Sequence, residues 1–109
     1  MKTLYCFKID ELTAKIVRYE ITDYEIYKYH GGMYIKFKAS LGNKNNSKFE
    51  VPFNDLDKIY HMKLYTFNPD YNYAKKIIND DLINRRNSAY KEYDRYNELI
   101  IHLNKNHQI

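Results

Sequence analysis

Residues 63–74 read KLYTFNPDYNYA, and the chain changes its periodicity inside them. KLYTF (63–67) has the apolar, β-favouring make-up of a strand. Asn68, Pro69 and Asp70 then supply an N-cap residue, a proline suited to the first helical position and an acid suited to the first turn. After Pro69 the chain contains neither glycine nor another proline. Apolar or small residues recur at Ala74, Ile78, Leu82, Ala89, Tyr93, Tyr96, Ile100 and Leu103, with Arg85 filling the one missing step. Their spacing, about 3.6 residues, is that of a straight α-helix rather than of a left-handed coiled coil. The sequence therefore predicts one continuous helix over 68–105.

Such a helix would be about 54 Å long, whereas a compact domain of this length has a radius of gyration of ~13 Å. A break within NRRNS (84–88) would resolve the mismatch, but the absence of glycine and proline favours continuity. On that reading the first half covers the domain and the second half meets another surface. Its stripe is rich in tyrosine, which buries area while keeping a polar handle. Tyr90, Tyr93, Tyr96, Ile100 and Leu103, with Arg86 and Arg95 at the rim, are the expected partner-binding residues, because aromatics and arginine are common anchors. The partner would be another protein or a second copy of the chain.

Upstream of residue 63 the period is two. KTLYCFKI (2–9) places Tyr5, Phe7 and Ile9 on one side; KIVRYEIT (15–22) does the same with Val17, Tyr19 and Ile21; MYIKFKA (33–39) repeats it with Met33, Ile35 and Phe37. Residues 10–14 form a hairpin-length loop. His30-Gly31-Gly32 supplies the positive φ of a tight turn between a strand at 24–29 and the one at 33–39. Residues 41–47 are a polar loop before a strand at Phe49 and Val51, and Asn54 caps a short helical turn near 55–60. The expected fold is α+β: one antiparallel sheet of about five strands, wet on one face and dry on the other, covered by the terminal helix.

The 109 residues make one domain. No charged start leads into an apolar segment, and no apolar run approaches the ~20 residues of a membrane span. The expectation is a cytoplasmic protein without membrane contact. One cysteine, Cys6, leaves no internal disulfide. Thirteen tyrosines without a tryptophan, beside abundant Lys, Asn and Ile, fit AT-rich codons. A short chain in this style is what accessory or inhibitor proteins of phages and other mobile elements look like, although no motif stands behind that impression.

Enzyme chemistry finds little support. Ser40, Ser47 and Ser88 lack a glycine elbow, and Cys6 sits in a strand. His30, His61, His102 and His107 have no metal-ligand spacing. Gly31-Gly32 is not followed by the Lys-Ser/Thr of a phosphate loop. The sequence predicts no catalysis, no metal and no cofactor. The sequon Asn45-Asn46-Ser47 is ordinary loop composition without a secretion signal.

The basic signal carries more. Between Glu25 and Glu50 stand Lys28, Lys36, Lys38, Lys44 and Lys48 with no acid among them, and the formal net charge is +4. An alternative reading is electrostatic nucleic-acid binding on the wet sheet face, through Lys2, Lys8, Arg18, Lys28, Tyr34, Lys36 and Lys38. Against it, the alternation sends nearly all aromatics inward, Tyr34 being the main exception, whereas single-strand binders turn them outward. The terminal segment carries nearly equal numbers of acids and bases, which suits a protein partner better than DNA.

Overall fold

The computed structural model describes residues 2–39, 47–88 and 93–105. Among the described residues seven strands run in chain order: β1 (Leu4–Asp10), β2 (Lys15–Ile21), β3 (Tyr24–Tyr29), β4 (Gly32–Ala39), β5 (Ser47–Pro52), β6 (Ile59–Tyr60) and β7 (Lys63–Thr66). Two helices follow, α1 (Tyr71–Ser88) and α2 (Tyr93–Lys105). The chain is α+β, but the expected single sheet is two antiparallel sheets. A four-stranded sheet A has the order β2-β1-β7-β6, and a three-stranded sheet B has the order β3-β4-β5.

The second sheet follows from what β1 and β7 carry on both faces. Tyr5, Phe7 and Ile9 look one way, as the alternation requires. The intervening Leu4 and Cys6 are fully buried as well. In β7, Leu64 and Tyr65 point to opposite faces and both are buried. A sheet with two apolar faces needs a cover on each. Helices α1 and α2 close one, joining Ala74, Ile78, Leu82, Tyr96, Leu99, Ile100 and Leu103 to Phe7, Ile9 and Leu64. Sheet B closes the other, joining Tyr24, Ile35, Phe37 and Val51 to Leu4, Cys6, Ile21 and Tyr65. Three layers result, with sheet A in the middle.

The long rod is a hairpin of two helices. Helix α1 ends at Ser88, whose hydroxyl donates back to the Asn84 carbonyl at 2.7 Å. Helix α2 returns antiparallel: Arg86 donates to Asn97 Oδ1 at 3.3 Å near one end, and Asn104 to Asn79 Oδ1 at 3.3 Å near the other. The physical reason is burial. Each large apolar side chain taken from water contributes roughly 1.5–3 kcal/mol. Folding back encloses Tyr96, Leu99, Ile100 and Leu103 against α1 and sheet A. The longest dimension of the molecule is 40 Å, shorter than the straight rod would be.

Two local expectations also shift. Helix α1 starts later than foreseen: Asn68 Oδ1 accepts the Asp70 amide, and Asp70 is the cap, its Oδ1 accepting the Asn72 amide at 3.0 Å. Asn54 caps nothing. The turn there is a 3-10 segment over Phe53–Asp55 with Pro52 at its N-cap and no side-chain cap.

Candidate nucleic-acid interface

The β3–β4 hairpin sets the geometry of the outer face of sheet B. Its two central residues, His30 at φ 48 and Gly31 at φ 79, both have the positive φ of a type I′ turn. Counting outward from that turn, Tyr29 pairs with Gly32, Lys28 with Met33 and Tyr27 with Tyr34. Tyr27 and Tyr34 therefore stand opposite each other on one face. Ile26 and Ile35, the next pair, belong to the other face.

The two tyrosine rings are stacked, with centroids 5.6 Å apart and planes 25° from parallel. Gly32 makes room for one of them: a Cβ there would lie 3.3 Å from the Tyr34 ring. Tyr27 reaches across the central strand and donates its hydroxyl to Glu50. That hydrogen bond, with the carboxylate's negative field, pushes the Tyr27 phenol up to about 12, so it stays neutral at any physiological pH. The Lys36 ammonium lies 5.7 Å from the Tyr27 centroid and 3.7 Å from Glu25 Oε2.

The same face carries a second pair. Lys38 on β4 is the direct cross-strand partner of Lys48 on β5, and both are exposed. Among the described residues neither forms an ion pair. Like charges directly opposite on a sheet repel, and an anion between them relieves the repulsion. Lys36, Lys38 and Lys48, with Asp23, Tyr24, Glu25 and Phe37, line an open cavity of about 310 Å³. The stacked rings thus share the face with Lys36, which is paired with Glu25, and with Lys38 and Lys48, which form no ion pair among the described residues.

The seven residues expected on one basic face are divided among several surfaces. Tyr34, Lys36 and Lys38 share the outer face of sheet B. Lys28 is on its inner side, beside Met33 at the hairpin end. Lys8 shares the sheet A face with Cys6, towards sheet B. Lys2 is exposed near the N-terminus, where its carbonyl accepts the Tyr24 hydroxyl at 2.6 Å. Arg18 faces the helices. Its guanidinium lies 5.3 Å from the Tyr5 centroid and 5.2 Å from that of Tyr71, and it donates to the Pro69 carbonyl at 3.0 Å. It fastens the start of α1 to sheet A.

Three residues of the expected partner-binding stripe turn inward. Tyr96, Ile100 and Leu103 are buried in the core between helices and sheet A. Arg86 is half-buried, and Arg95, exposed, pairs with Glu11 and lies over the Tyr96 ring. Tyr90 lies outside the described residues, as do Lys44, His107 and the side chain of Tyr93.

Tyr27, Tyr29 and Lys48 are surface residues of this site that the alternation alone did not single out. The signal was the turn: two residues of positive φ at His30-Gly31 determine the register, and the register places Tyr27 beside Tyr34. Among the described residues no group of three or more His, Cys, Asp or Glu is placed to hold a metal ion. None of the described helices is long and apolar enough to cross a membrane.

No protein-family model matches the chain, and neither a curated protein nor a solved structure matches it.

Proposed function

We propose that the protein binds single-stranded nucleic acid, without strong sequence preference, on the outer face of sheet B. The observation that carries this reading is one face holding both a Tyr27–Tyr34 stack and an opposed Lys38–Lys48 pair. Aromatic rings take bases on their π-faces, and lysines track the phosphates. Tyr29, 59% exposed at the hairpin end, extends the aromatic surface. A single strand fits this platform better than a duplex, whose bases are already stacked and paired.

Titration of a labelled single-stranded oligonucleotide at low and moderate salt tests the proposal. Binding falls steeply with salt, and Lys36→Glu with Lys38→Glu abolishes it. Tyr34→Ala costs about 1–3 kcal/mol of binding. Absence of binding at low salt overturns it.

A protein-binding role for the C-terminal helix draws less support from the fold. Tyr96, Ile100 and Leu103 serve the chain's own core, and the described exposed residues of α2 are Arg95, Glu98, His102, Asn104 and Lys105 with a single large apolar one, Ile101 at 44%.

A further inference from the structure

A second cavity, about 250 Å³, opens where β5 of sheet B passes the β6–β7 hairpin of sheet A. Its lining includes Lys48, Phe49, Glu50, Tyr60, His61 and Lys63. Lys48 also lines the first cavity, so the two meet at that side chain. We infer that a bound single strand leaves the tyrosine platform, rounds the edge of sheet B at Lys48, and seats a further nucleotide in this groove. The inference rests on the nucleic-acid reading above and extends its footprint from one sheet to the junction of two.

Three observations support the path. The charge is complementary: among the described residues, Lys48 and Lys63 line the groove with a single carboxylate, Glu50, which is already engaged by the Tyr27 hydroxyl. The groove repeats the chemistry of the platform. The Lys63 ammonium lies 4.9 Å from the Phe49 centroid, and the rings of Tyr60 and His61 meet edge to face at 4.3 Å. Finally, β5 is an edge strand paired with β4 alone among the described residues, so no further described strand of sheet B blocks the crossing from its outer face.

Two thymidine oligomers, four and twelve nucleotides long, separate the possibilities. The short one is held by the platform alone, and the long one reaches the groove. His61→Asp adds a negative charge on an exposed turn, with a residue type that tolerates positive φ. It should weaken the twelve-mer about five-fold or more and leave the four-mer within about two-fold. In the unaltered protein, the twelve-mer should shield Lys63 from amine acetylation and the four-mer should not. This second measurement stands even where the variant fails to fold. Equal loss for both oligomers in folded His61→Asp overturns the groove and leaves the platform intact. So does Lys63 left equally reactive with either oligomer bound. Failure of both oligomers to bind the unaltered protein overturns the platform and the groove together.

Discussion

The Tyr73 hydroxyl, on the first turn of α1, donates a 2.8 Å hydrogen bond to Oδ1 of Asp57 in the loop before β6. The same oxygen accepts the Thr66 hydroxyl at 2.6 Å, and the Asp57 amide donates to the Tyr65 carbonyl at 2.9 Å. Asp57 has φ 63, a conformation aspartate adopts more readily than most residues. One short loop thus ties the last strand of sheet A to the start of the helical layer. Tyr73→Phe should cost about 0.5–1.5 kcal/mol in urea unfolding. Asp57→Ala should cost more, because it removes both side-chain bonds and leaves an alanine at positive φ. Equal effects of the two substitutions would show that neither the Thr66 hydrogen bond nor the backbone conformation at Asp57 contributes.

Tyr96→Ser should lower stability by about 3–5 kcal/mol, the range for an aromatic deleted from a core. The residue is 7% exposed and belongs to the cluster with Leu82, Leu99 and Leu103. Thermal unfolding reads the result. A variant with unchanged stability and lost partner binding would instead place Tyr96 on a working surface.

The β6–β7 turn invites a stabilising pair of substitutions. His61 at φ 49 and Met62 at φ 66 occupy the two positive-φ positions between paired Tyr60 and Lys63, without a glycine. Asn-Gly is the favoured sequence there. His61→Asn with Met62→Gly should gain about 1–2 kcal/mol, since Met62 is 42% exposed and buries little. Chemical denaturation measures the gain. The same pair should weaken the twelve-nucleotide oligomer, as it removes the His61 ring from the groove.

Stability should fall in alkali. Burial, the largest cause, pushes the Cys6 thiol from its ordinary 9.0 up to about 11, and burial also raises the Tyr65 phenol that faces it. Each holds its proton more tightly folded than unfolded. The stabilisation is complete below the unfolded pKa and is lost as pH rises through the folded one. Unfolding midpoints should therefore decline between pH 9.0 and about 11, and Cys6→Ala should flatten part of that decline. At neutral pH the native thiol should resist alkylation and react only after denaturation.

Local chemistry by itself determined a good deal of this protein. The change of period at residues 63–74 separates strands from helices, the positive φ needed at His30-Gly31 makes a hairpin, and the stripe from Ala74 to Leu103 is apolar on one side. These are interactions between near neighbours, and they are written in spacing. Tertiary structure alone decided the rest. Alternation says which residues share a face but not what covers it, so Lys8, Arg18 and Lys36 look equivalent in sequence and lie on three different surfaces. Helical spacing persists through 84–88 whether the helix runs on or folds back. Only the area available on sheet A settles that, by drawing Tyr96 and Leu103 inward. The tyrosines and lysines on the outer face of sheet B became one surface for the same reason: a middle sheet with two apolar faces needed a second sheet, whose far side was left to water.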